Sequence, residues 1–197
     1  METPDIPQQF LQFARQLCPG FSIDDENRNA VKNLYAYFTH DPRSLLDLSK
    51  GIWLEGDIGT GKSTLLYIFS KLLSQYRCGF LIHSCPDIAI KYTQGDDLDT
   101  YTYGRNCYPS RPVNMGFDEL KREIIPAYQY KNALNVMQYI LHTRYTLWQK
   151  MKIQTYITTN ADADEIQDTY GDFIRSRRSE MFNILPLCGK DRRNPNH

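Results

Sequence analysis

Apolar residues recur along this chain with two periods, and each change of period marks an element. Ile6, Phe10, Phe13, Ala14 and Leu17 share one face at helical spacing, which predicts a short amphipathic helix that Cys18-Pro19-Gly20 ends. Asp24 or Asp25 can cap a second helix, whose stripe Val31, Leu34, Tyr35 and Phe38 runs i, i+3, i+4, i+7 until "HDPRS" breaks it. The run "GIWLEG" at 51–56 reads as a buried strand. "KSTLLYIFSKLLSQY" then returns to helical spacing, with Leu65, Leu66, Ile68, Phe69, Leu72 and Leu73 inward. "CGFLIHS", "VNMGF", "IQTYITTN" and "NILPL" supply four further strand candidates. A long helix is expected over about 128–149, carrying Leu134, Met137, Leu141 and Trp148, and a charged one over about 162–181. Residues 94–112, rich in Tyr, Gly, Pro and Asp, read as loop. Strands that alternate with helices predict a parallel sheet covered on both faces, here preceded by a helical extension of about fifty residues.

Composition narrows the function classes. The 197 residues suit one globular core, and a 41% hydrophobic content excludes wholesale disorder. Lys plus Arg and Asp plus Glu both number 23, so any surface for nucleic acid must be local. The five cysteines, at 18, 78, 85, 107 and 188, form no C-x-x-C pair, which argues against a disulfide framework or a zinc site. The N-terminus has no basic end followed by an apolar run, and no stretch approaches eighteen apolar residues. A soluble cytoplasmic protein without a membrane partner is the expectation.

Between the first strand and the helix after it stands "GDIGTGKST", residues 56–64, of the form G-x-x-x-x-G-K-[ST]. A bound phosphate needs several converging donors. Gly56, Gly59 and Gly61 let the backbone of Asp57, Ile58 and Thr60 turn tightly enough to aim its N–H groups at one anion. The helix that starts near Lys62 adds the positive end of its dipole. Lys62 brings a full charge to the β- and γ-phosphates, the Ser63 hydroxyl is suited to Mg²⁺, and Thr64 completes the loop. The competing reading is a glycine-rich turn without a ligand.

Hydrolysis also needs a carboxylate near the metal and a group that activates water. "VNMGFDEL" offers Asp118 for Mg²⁺ and Glu119 for the water; alternatively the two acids cap a following helix. "TYITTN" ends another strand with Thr158, Thr159 and Asn160. Ligands lie beyond the carboxyl ends of such strands, so Asn160 is placed to bond the γ-phosphate or the water, unless it merely caps the next helix.

The order of these motifs resembles the AAA+ ATPases of the DnaC/IstB type, helicase loaders and transposition helpers. "GDIGTGKST" is similar to their Walker A, "VNMGFDEL" to Walker B and "ITTN" to sensor 1. "YGDFIRSRRSEMF" at 170–182 resembles their Y-G-E-R-I-x-S-R-x-x-E-M-F segment, which places Arg177 at the arginine finger. "GKDRR" resembles their sensor 2 region, so that Arg192 or Arg193, the latter taken here, would contact nucleotide. The likeness covers roughly residues 24–193. It departs at Phe173, where the family has Arg, at Lys121, where Gly is common, and at Asn114 and Gly116, which make the Walker B strand less apolar.

The resemblance implies a P-loop AAA+ three-layer α/β sandwich with a five-stranded parallel sheet. Its core would cover residues 46–197 behind a short N-terminal helical extension over 1–45. It also implies ATP and Mg²⁺ as ligands and Arg177 acting in trans within a head-to-tail oligomer. A helicase or transposase would be the protein partner. Single-stranded DNA is the favoured nucleic acid, for which the loop bearing Tyr101, Tyr103, Arg105, Tyr108 and Arg111 is one candidate surface, with Asp96, Asp97 and Asp99 opposing it just upstream. The rival readings are a small nucleotide kinase and a non-hydrolysing nucleotide switch.

Overall fold

The computed structural model describes residues 5–105 and 110–193. In chain order its elements are α1 (Gln8–Leu17), α2 (Arg28–Phe38), β1 (Gly51–Glu55), α3 (Lys62–Ser74), β2 (Leu81–Ser84), α4 (Cys85–Thr93), β3 (Met115–Leu120), β4 (Ala127–Gln129), β5 (Asn132–Leu134), α5 (Val136–Met151), β6 (Thr155–Thr159), α6 (Ala163–Met181) and β7 (Phe182–Pro186). Five strands form one sheet in the order β2-β3-β6-β1-β7, and every pairing in it is parallel. Each crossover therefore spends a helix on one face or the other, as alternation of elements requires.

The pleat sorts side chains between two cores. Ile52 and Leu54 of β1 and Tyr156 of β6 face α1, α2 and α3, whereas Trp53 and Ile157 face α4, α5 and α6. On the first face an aromatic stack runs from Phe10 to Phe69, Phe38 and Phe80, with ring centroids 5.3, 4.9 and 5.8 Å apart, and Tyr156 lies 4.3 Å from Phe80. Gly116 belongs to this packing. A Cβ there would meet Ile82 at 3.0 Å and both Leu66 and Phe80 at 3.3 Å, so the missing side chain makes room for α3 and the stack. Its presence in β3 reflects volume, not a weak strand.

Several expectations need correction. The helix expected over 128–149 begins only at Val136, because Asn135 accepts the Gln138 N–H at 3.2 Å as its N-cap. The residues before it form the antiparallel hairpin β4–β5, with Gln129 opposite Asn132 and Tyr130 turning at φ 57°. Helix α4 has no counterpart in the sequence reading. Its buried residues are only Cys85, Ile88 and Ala89, too few to show a periodic stripe, and it depends on the Ser84 hydroxyl as cap with proline in its first turn. The charged helix is present as α6 but bends at Gly171 (φ 82°, ψ 169°). Among the described residues no helix is long and apolar enough to cross a membrane.

Sheet order carries one further consequence. Strand β3, with Asp118 and Glu119, is not the neighbour of β1; β6 lies between them. Two strand spacings, roughly 9–10 Å, therefore separate the glycine-rich loop after β1 from the acids, with the Thr158–Asn160 end of β6 set in the gap.

Candidate functional site

The loop leaving β1 depends on its glycines. At Gly56 (φ 136°) a Cβ would lie 2.2 Å from the Leu187 carbonyl oxygen, and Gly61 (φ 98°) is the left-handed N-cap of α3. No side chain caps the first turn of α3 and no acid stands in it, so its leading N–H groups remain available to an anion. Lys62 runs beneath the loop, 6% exposed, and its Nζ donates to the carbonyls of Gly56 at 2.7 Å and Asp57 at 2.6 Å. Burial pulls its pKa down, while the charges of Asp57 and Asp118 pull the other way. The Thr60 hydroxyl closes the loop on the Asp57 carbonyl at 3.0 Å.

Against this loop opens a cleft of about 580 Å³, a size suited to a small-molecule ligand. It is lined by Gly59–Leu65, by the Cys18–Ser22 stretch between α1 and α2 with Asp24 and Asn27, and by Lys190–Arg193. Glu119 and Thr158–Asn160 line it as well. Gly59–Thr64, Glu119, Asn160 and Arg193 are thus brought together, while Gly56, Asp57 and Ile58 do not line the cleft.

Asp118 and Glu119 lie within β3, and the helix that follows them is capped elsewhere, by Asn135. The Thr158 hydroxyl, one strand over, organises both acids: it donates to the Asp118 carboxylate and accepts the Glu119 N–H at 3.0 Å. Glu119 adopts φ 60°, a left-handed conformation uncommon for a residue with a side chain. The turn breaks the β3–β6 register after Phe117 and brings Glu119 onto the cleft. Its carboxylate is held by Arg122 at 2.8 Å. Thr158 and Arg122 were absent from the sequence-derived site. Only the polar strand end at 158–160 signalled the first, and a lone Arg three residues after Glu119 signalled nothing.

Asn160 is exposed at the cleft and free of capping duty, because Asp162 forms a capping box with Glu165 at the start of α6. For a divalent metal, Ser63 on the cleft wall and Asp118 behind it offer one hydroxyl and one carboxylate. Among the described residues no cluster of three metal-ligating side chains exists. That sparse set fits Mg²⁺, which keeps waters and takes phosphate oxygens rather than a full protein cage.

The arginines separate. Arg177 does not line the cleft of its own chain; it lies over the rings of Tyr145 and Phe173 at 4.6 and 4.9 Å, bonded to the Tyr145 hydroxyl and 3.5 Å from Glu180. Phe173, at the family's Arg position, also stacks on His142 at 4.0 Å. Arg175 is paired with Asp164 at 2.6 Å. Arg178 is buried against Trp53 and paired with Glu55. Of the two C-terminal candidates, Arg193 stands 66% exposed at the cleft, its nearest carboxylate Asp191 at 3.9 Å, whereas Arg192 is fully engaged with Asp24. In the loop considered for DNA, Tyr101 is buried, whereas Tyr103 and Arg111 are exposed and the exposed Arg105 lies over the Tyr103 ring at 5.4 Å while pairing with Asp99 at 3.3 Å; Tyr108 lies outside the described residues.

No protein-family model matches the sequence, and no curated protein does. Solved structures do. The DnaC helicase loader superposes with a TM-score of 0.63 at 18% identity, over 92% of this chain and 99% of that one. DnaI gives 0.61 at 20% identity, over 95% and 94%. AMPPCP-bound DnaA from Aquifex aeolicus gives 0.58 at 18%, over 85% of this chain and 48% of that one. At such identities the likeness is one of fold, and the fold is the P-loop AAA+ fold.

Proposed function

We propose that this chain is a Mg²⁺-dependent ATPase that assembles head to tail, on or near single-stranded DNA, and loads a replicative helicase. The observation that carries the ATPase reading is the convergence on one cleft of an uncapped, glycine-built phosphate loop with Glu119 and Asn160 from two other strands. In this reading the α3 N–H groups and Lys62 hold the phosphates. Mg²⁺, held by Ser63 and Asp118, would neutralise charge on the phosphate oxygens. Glu119 orients a water and takes its proton, with Thr158 fixing its backbone and Asn160 facing the same space. Arg193 reaches the nucleotide from the C-terminal side. Arg177, remote from its own cleft, acts on the nucleotide of the next subunit.

Helicase loading is favoured over transposition by the likeness to DnaC and DnaI along nearly the whole of each chain. Nucleotide binding is supported by the AMPPCP-bound DnaA of the same fold. The test is Glu119→Gln, measured for ATP binding and phosphate release. Binding should persist while release falls roughly 10²- to 10⁴-fold; an unchanged rate would overturn the hydrolytic role. The same variant with ATP, used as bait, should retain a helicase subunit, and recovery of a transposase instead would redirect the reading.

A further inference from the structure

Arg192 borders the cleft, but its guanidinium is committed to partners within the chain. Its guanidinium grips Asp24 with both arms, at 2.6 and 2.9 Å, and lies 3.5 Å from Glu26. Its backbone N–H donates to the Gly59 carbonyl at 2.9 Å, and its Nε to the Thr60 carbonyl at 3.2 Å. One residue thus joins three segments: the stretch between α1 and α2, the phosphate loop and the chain after β7. Two glycines allow the close fit. A Cβ on Gly189 would lie 2.4 Å from the Glu26 carboxylate, and one on Gly59 would lie 2.0 Å from that of Asp191.

The stretch that Arg192 holds is itself a wall of the cleft. Asn27 braces it, donating to the Ser22 carbonyl at 2.9 Å and accepting the Asp24 N–H at 3.0 Å. Helices α1 and α2 leave from its two ends.

We propose that Arg192 is a positioning residue whose clasp on Asp24 sets the α1–α2 stretch against the phosphate loop, coupling nucleotide occupancy to the placement of the N-terminal helices. This rests on the nucleotide-binding reading above. A bidentate guanidinium–carboxylate pair fixes both partners in orientation, which a single contact does not. The pair is partly shielded, with side-chain exposures of 23% and 40%, and Arg192 holds the Asp24 carboxyl well below its usual range, at about 2. Coupling of this kind is reciprocal: whatever steadies the helices favours nucleotide by the factor with which nucleotide steadies the helices.

The test compares the full chain with Arg192→Ala, Asp24→Ala and the double variant. Two quantities are read: affinity for a non-hydrolysable ATP analogue with Mg²⁺, and the alkylation rate of Cys18, which lines the cleft, mapped by peptide mass spectrometry. Exposed Cys78 serves as the reference for reagent reactivity and buried Cys85 as the reporter of intact folding, while Cys18 lines the cleft. In the parent chain saturating analogue should slow Cys18 alkylation strongly. Each single variant should bind about tenfold more weakly and the double variant no more weakly than either, as expected for one shared interaction; all three should lose most of the Cys18 protection at saturation. Losses that add, parental affinity in Arg192→Ala, or a double variant that regains parental affinity would overturn the clasp. The last of these would mean that Arg192 only neutralises Asp24. A parent chain that binds no analogue would instead overturn the nucleotide reading.

Discussion

Arg178 donates to the Glu55 carboxylate at 2.6 Å beneath the Trp53 ring, which ties α6 to the last residue of β1, directly before the phosphate loop. Its neighbour Arg177 points the other way, onto Tyr145. Two adjacent arginines thus carry different duties. Arg178→Ala leaves Glu55 as a largely buried charge without its partner and should lower unfolding stability by about 3 kcal/mol, measured by denaturant titration.

Arg177→Ala should leave monomer stability within about 1 kcal/mol, because the side chain is 36% exposed. Its assembly-dependent ATPase should collapse. Mixing this variant with Lys62→Ala, itself inactive, should restore part of the turnover, since the second protein lends its Arg177 to the intact cleft of the first. A mixture as inactive as its components would exclude action in trans.

Gly116→Val places branched carbons against Ile82, Leu66 and Phe80. The expected cost is about 1–3 kcal/mol from overpacking, with nucleotide affinity changed little. Thermal melting beside a binding titration separates the two. A large loss of binding at unchanged stability would show that β3 is tuned for the site rather than for volume.

Glu123 is buried, accepts the Tyr170 hydroxyl and the Lys121 N–H, and has its pKa raised by desolvation. A carboxyl whose folded pKa exceeds its unfolded value holds more protons in the folded state, so its contribution to stability declines as pH rises from the unfolded value near 4.5 through the raised one. The stability of the parent chain relative to Glu123→Gln should therefore fall from pH 4.5 towards neutrality. Denaturant midpoints across that range give the answer, and a parent chain that gains stability relative to Glu123→Gln as pH rises would contradict it.

The elements that the sequence resolved are those with a strong local signal. Val31, Leu34 and Phe38 mark α2 because a buried stripe on a helix must repeat near 3.6 residues, and the three are indeed buried. The turn at Gly56–Gly61 was legible because its backbone conformations are open to few other residues. Where the signal is a matter of neighbours, it failed. Leu134 and Met137 suited the helical period, yet Asn135 caps between them and a hairpin occupies the residues before.

Sequence by itself determined the glycine-built turn at Gly56–Gly61, the alternation of strand and helix, and the acids at a strand end, since each rests on the conformation or chemistry of adjacent residues. Only the tertiary structure decided that β6 separates β1 from β3, that Thr158 and Arg122 hold the two acids, and that Arg192 closes on Asp24, 168 residues away. Those relations depend on which strands pair and which loops meet, and pairing is settled by burial of whole faces, a property that no short stretch of chain contains.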